Sequence, residues 1–124
     1  MPFTTVTANK LITKLLRNTD FTHPTAVYVS LHTADPAQNG ASEVSGGSYA
    51  RKVCAFNVAS NKVTANTSDI EFANMPATTV THIGLWGAST GGDFWWGGSL
   101  TTSKTLTSGD TLKIPTGDLD VTLT

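Results

Sequence analysis

Thr78–Leu106 reads TTVTHIGLWGASTGGDFWWGGSLTTSKTL, and it decides the fold. All three tryptophans of the chain lie in it. Two extended runs flank a polar, glycine-bearing break, Ala88-Ser89-Thr90-Gly91-Gly92, which is the pattern of a β-hairpin with a connection of about five residues. On the first arm Thr79, Thr81, Ile83 and Leu85 point one way, and Val80, His82, Gly84 and Trp86 the other. Both faces carry apolar side chains, so this arm is expected in the middle of a sheet, covered on both sides. The second arm opens with Phe94-Trp95-Trp96 and then meets Gly97-Gly98, where paired glycines predict a bulge or a close backbone approach.

The rest of the chain supplies partners for this hairpin. Thr25–Thr33 alternates, with Val27, Val29 and Leu31 inward and Tyr28, Ser30 and His32 outward. Tyr49–Ala59 is a second extended run, and Asn61–Asn66 a short polar one. In Ser68–Ala73, Ile70 and Phe72 oppose Asp69 and Glu71. Pro76 breaks the chain before the hairpin. Ser108-Gly109-Asp110 is a turn, Thr111–Ile114 a strand and Pro115–Asp118 another turn. Leu119, Val121 and Leu123 then alternate with Asp120 and Thr122. Seven or eight short strands with turns at this spacing predict an all-β fold, an antiparallel β-sandwich or a jelly-roll-like arrangement.

One helix is expected, from Thr7 to Asn18. Leu11, Ile12, Leu15 and Leu16 recur at helical spacing, with Lys10, Lys14 and Arg17 opposite. Thr7 is the expected N-cap and Asn18 the terminator. So short a helix is marginal alone, so its apolar stripe needs cover. The first expectation is cover by its own domain; the second is a partner or neighbouring subunit. A chain of 124 residues is read as one domain, with 1–24 a helical segment and linker ending at Pro24 and 25–124 the sandwich.

Composition narrows the function. Charged residues make up only 14% of the chain and formal net charge is −1, with threonine, serine and glycine filling the difference. No block of lysine or arginine is present, which speaks against nucleic acid. No apolar run approaches the ~20 residues needed to cross a bilayer, which speaks against a membrane protein. The first residues have neither a basic nor an apolar signal region, so synthesis in the cytoplasm without secretion is expected. The single cysteine, Cys54, excludes a disulfide framework and sits in an apolar run, where it reads as a small hydrophobe.

No catalytic, cofactor or metal residues are expected. His23, His32 and His82 are dispersed, with His32 read as a surface strand residue and His82 as a hydrogen-bonded sheet residue. Ser45-Gly46-Gly47-Ser48 lacks the context of a nucleophile elbow or a phosphate loop, so it reads as part of a flexible loop. That loop, Ala34–Ser48, is long enough to be functional or mobile. Asp118 and Asp120 could form a glycosidase pair but read better as solubility devices on an edge. The tryptophans are the best candidates for binding, as a sugar-stacking platform or a protein hot spot. On a regular strand Trp95 and Trp96 face opposite sides.

Four segments carry a resemblance: YVSLHTADP (Tyr28–Pro36), EVSGGSYAR (Glu43–Arg51), SDIEFANMPATTVTHIGLW (Ser68–Trp86) and SGDTLKIPTGDLDVTLT (Ser108–Thr124). Together they resemble a family of small virion proteins from tailed bacteriophages and prophages, whose members are often labelled tail-fibre-like. The resemblance implies a non-enzymatic virion protein and carries no active site. Within that class a capsid decoration or cement protein is the first expectation, bound to the major capsid protein or other virion proteins and forming a homo-oligomer. A tail fibre or baseplate component is the alternative. A carbohydrate-binding module for host glycans is the reading from another class, and a hydrolase comes last. The expected contact residues are Leu11 and Leu15 on the helix, Glu43, Val44, Tyr49 and Arg51 in and beside the long loop, and Trp95 and Trp96.

Overall fold

The structure is a computed structural model that describes residues 3–21 and 25–123. His23 and Pro24 lie outside the described residues.

The hairpin forms as its pattern predicts. Strand β5 (Thr78–Trp86) pairs antiparallel with β6 (Phe94–Leu106). The connection is Gly87–Asp93, two residues longer than the polar break alone, and Gly91 and Gly92 take positive φ within it. Strand β1 (Val27–His32) pairs with the other side of β5, and β2 (Lys52–Cys54) adds to β1, giving the order β2-β1-β5-β6. β5 is therefore an inner strand. Two antiparallel ribbons complete the sandwich: β4 (Ile70–Met75) with β7 (Asp110–Ile114), and β3 (Val63–Ala65) with β8 (Asp120–Thr122). This is the expected all-β sandwich, with eight strands and one N-terminal helix among the described residues.

The core follows from alternation. Val29, Leu31, Ile83 and Leu85 share one face of the four-stranded sheet, and cross-strand register sets Val29 opposite Leu85 and Leu31 opposite Ile83. They form one buried cluster with Ile70, Phe72 and Met75 of β4, Leu112 and Ile114 of β7, and Val121 of β8. Each fully buried side chain of this size contributes about 1.5–3 kcal/mol.

Asn66 locks the turn between β7 and β8. It is fully buried, and its amide N–H donates to the carbonyls of Ser68 at 2.8 Å and Pro115 at 3.1 Å. Its Oδ1 accepts the backbone N–H of Gly117 at 3.1 Å and Leu119 at 3.0 Å. One side chain thus makes four bonds, three to the turn and one to Ser68, and pins the turn to the chain that precedes β4.

β6 is irregular in two places. Leu85 pairs with Trp96 but Trp86 pairs with Phe94, so Trp95 is an extra residue in the ladder. Val80 pairs with Lys104 but His82 with Ser99, which leaves a larger excess on β6 there. The two slips flank Gly97-Gly98 rather than fall on it. The close approach is at Gly98, where a Cβ would lie 2.5 Å from the Trp96 ring.

Candidate functional site

The second face of the four-stranded sheet holds a polar cluster under the Ala34–Ser48 loop. That loop is irregular, as its composition predicts, but it is built into the fold. Val44 N–H donates to the Leu31 carbonyl at 2.9 Å, and Glu43 bridges to His32, which extends the pairing along β1. Pro36, Gly40 and Val44 are buried. Gly40 takes φ +75° and lies against Trp86, where a Cβ would come within 2.2 Å of the ring.

This cover corrects the reading of His32 as a surface residue, because His32 and Ser30 are both 0% exposed. Nδ1 of His32 lies 2.7 Å from the Ala41 carbonyl, which can only accept, so Nδ1 carries the proton. Nε2 then accepts from the Ser30 hydroxyl at 2.6 Å, and Ser30 Oγ accepts the Trp86 indole N–H at 2.8 Å. Burial holds the His32 pKa below its ordinary value. The pair has the spacing of a nucleophile and its base, but substrate has no route to it.

Beside it lies an ionic clasp. Arg51 meets Glu43 through two parallel bonds, Nε to Oε2 at 3.0 Å and Nη2 to Oε1 at 2.9 Å. Tyr49 donates its hydroxyl to Glu43 at 2.7 Å and accepts the Leu31 N–H at 3.0 Å. Arg51 Nη1 reaches the carbonyls of Ala88 at 3.1 Å and Gly91 at 2.9 Å, and the guanidinium lies 3.6 Å from the Trp86 ring centre. Burial would raise the Glu43 pKa, but the bonds from Arg51 and Tyr49 outweigh it and hold the carboxyl below its ordinary value. Burial also raises the Tyr49 pKa. Glu43, Tyr49 and Arg51 therefore come together, but to tie the long loop and the hairpin connection to the sheet. Val44 joins the core.

The other candidates surround the N-terminal helix. Helix α1 (Thr5–Arg17) starts two residues before the expected point, and its cap is Thr4, not Thr7. The cap shifts because both threonines are used as anchors. Thr4 Oγ1 donates to the Phe94 carbonyl at 2.9 Å and Thr7 Oγ1 to the Trp95 carbonyl at 2.8 Å. Asn18 ends the helix in the left-handed conformation, as expected. The stripe is not buried in its own domain. Leu11 is half-buried, but Leu15 and Leu16 are each 79% exposed and Ile12 56%. The first expectation for its cover is thereby overturned.

Between helix and sheet runs an apolar groove of about 420 Å³, lined by Leu11, Phe21, Phe56, Trp95, Trp96 and Leu123 among others. The extra residue at Trp95 breaks the alternation, so Trp95 and Trp96 line the same groove instead of facing opposite sides. Trp96 is buried, and neither indole N–H has a hydrogen-bond acceptor among the described residues. Trp95 is engaged by Phe21 at 6.0 Å and by the Lys10 ammonium at 5.8 Å.

Cys54 is buried, and burial raises its thiol to about 11. His82 is half-buried, its Nδ1 2.8 Å from Thr81 Oγ1. Asp118 and Asp120 are exposed. Among the described residues no three His, Cys, Asp or Glu side chains converge on a metal-sized site, and no helix is long and apolar enough to cross a membrane. Sequence reading missed Asn66 and the Ser30–His32 pair. The signal for the clasp was present, since Glu43 and Arg51 bracket the segment EVSGGSYAR.

Residues 2–122 match the family described as podophage GP4 fiber I protein gp80. No curated protein matches the chain.

Proposed function

The chain belongs to the podophage GP4 fiber I protein gp80 family, and on that basis we propose that it is a non-enzymatic subunit of a tail-side fibre that acts by holding other virion proteins. The observation that carries this reading is the family match, which spans almost the whole chain. Capsid decoration, the first expectation from sequence, yields to the fibre alternative because the family is described by a fibre.

The geometry supports a binding role. The buried polar groups that could do chemistry are consumed by structural bonds: Ser30 with His32, and Glu43 with Arg51 and Tyr49. What the surface offers is an apolar stripe on a helix fixed by its first turn. Such surfaces mark contacts with other proteins.

Copy number tests the location. Quantitative mass spectrometry of purified particles, scaled to the major capsid protein, is expected to give a handful to a few tens of copies. Hundreds of copies would return the protein to the shell.

A further inference from the structure

Asn39 is the only asparagine of the chain that precedes a glycine, and the step lies in the Ala34–Ser48 loop. An asparagine side chain is long enough to close a five-membered ring on the next backbone nitrogen. A following glycine opposes that closure least, because it carries no Cβ.

The structure leaves both reacting groups untied. Asn39 is exposed, and its side chain makes no hydrogen bond among the described residues. The Gly40 N–H makes none among them either. The residues on both sides are held. Ala37 N–H donates to Asp35 Oδ1 at 2.8 Å, and Gln38 Oε1 accepts the Thr5 N–H at 2.7 Å. Ala41 N–H donates to the Pro36 carbonyl at 2.9 Å. The Asn39–Gly40 linkage is thus the free tip of an anchored loop, where chemical change concentrates. The side-chain amides of Asn66 and Asn74, by contrast, are hydrogen-bonded.

We infer that Asn39 is a self-modification site. The Gly40 backbone nitrogen gives its proton to hydroxide and attacks Cγ of Asn39. The bond from Cγ to the side-chain nitrogen breaks, and ammonia leaves behind a cyclic imide. Water then adds to one imide carbonyl. Opening at Cγ gives an ordinary aspartate, and opening at the backbone carbonyl gives isoaspartate, whose backbone runs through the side chain. No oxidant, reductant or second protein takes part.

Both products carry a carboxylate where a neutral amide stood, and isoaspartate also lengthens the backbone by one atom before Gly40. Gly40 has no slack to absorb that atom. It takes φ +75°, and a Cβ there would fall 2.2 Å from the Trp86 ring. One residue further on, the Ala41 carbonyl accepts the His32 Nδ1 proton at 2.7 Å. The lengthened tip therefore lifts the loop from Trp86 and His32. The chemistry is independent of the fibre reading. In a released particle the chain is not replaced, so the change accumulates with age.

Peptide mapping by mass spectrometry tests this on the folded full-length chain, held for several weeks at pH 8.5 and at pH 7. Asn39 is expected to convert well ahead of every other asparagine, with isoaspartate the larger product, detected by labelling with an isoaspartyl methyltransferase. Conversion is expected to be several-fold faster at pH 8.5, because the attacking nitrogen must lose its proton. Asn39→Gln, an exposed change, is expected to abolish it, since the longer side chain closes a six-membered ring far more slowly. The converted chain, separated by its added charge on an anion-exchange column, is expected to show altered tryptophan fluorescence and a lower urea midpoint. Asn39 left intact in the folded chain over the time that converts it in urea overturns the inference. So does conversion spread evenly over the asparagines. Unchanged fluorescence and midpoint in the converted chain refute the lifting of the loop.

Discussion

Replacing Arg51 by alanine removes the clasp that holds the long loop to the sheet. The Arg51 side chain is 8% exposed and that of Glu43 24%. Removing one partner of a buried pair costs about 3–5 kcal/mol, mostly for the charge left behind. Glu43 keeps the Tyr49 hydroxyl and some solvent, so the lower end applies, near 3 kcal/mol. Loss of the guanidinium from the Trp86 face adds about 0.5–1 kcal/mol. The carbonyls of Ala88 and Gly91 lie at a turn where water can replace the bond, so they add little. The sum is about 3.5 kcal/mol, which at a urea slope near 1.5 kcal/mol/M lowers the midpoint by about 2 M. Tryptophan fluorescence reads the transition, and Trp86 beneath the clasp reports on it directly. Removing Glu43 as well is expected to cost less than the two single losses combined, with a coupling of about 1–3 kcal/mol. A loss under about 1 kcal/mol for Arg51→Ala, or additivity within about 0.5 kcal/mol, would refute the clasp.

Acid is expected to loosen the same region in two stages. Burial lowers the His32 pKa from 6.5, so the unfolded chain takes up that proton first. His32's contribution is complete above pH 6.5 and is lost as pH falls through the folded-state value, at no more than about 1.4 kcal/mol per pH unit. Glu43, held below 4.5, adds a second loss as pH falls below that value. Urea midpoints at pH 7.5 and 5.5 check this, and His32→Gln is expected to remove the first stage. Asn66→Ala is expected to cost about 2–4 kcal/mol, since it strands the Leu119 N–H and removes the donor to the Ser68 and Pro115 carbonyls, while Gly117 N–H keeps the backbone carbonyl of residue 66; thermal unfolding measures it. Cys54, buried and raised to about 11, is expected to resist iodoacetamide at pH 8 in the native protein and to react readily in urea.

The sandwich was legible because its signal is local. Alternation at Val29 and Leu31, at Ile70 and Phe72, and at Leu119 and Val121 states which face is buried before any partner is known. Cover from outside the strand is not local. Ser30 and His32 alternate as surface residues, and only the loop laid over Trp86 makes them core. The tryptophan pair failed for a related reason. Trp95 and Trp96 share a groove because the ladder gains a residue at Trp95, and nothing in the alternation of Phe94-Trp95-Trp96 announces that slip. Leu15 and Leu16 were placed on a helix correctly, but period alone does not distinguish a stripe that meets its own sheet from one that meets another chain.

Imaging tests the fibre role most directly. Particles carrying a tagged copy of this chain, labelled with gold and viewed by cryo-electron microscopy, show where it sits. A fibre subunit predicts label confined to the fibres around the tail. Label spread evenly over the shell, or absent from the particle, would contradict it.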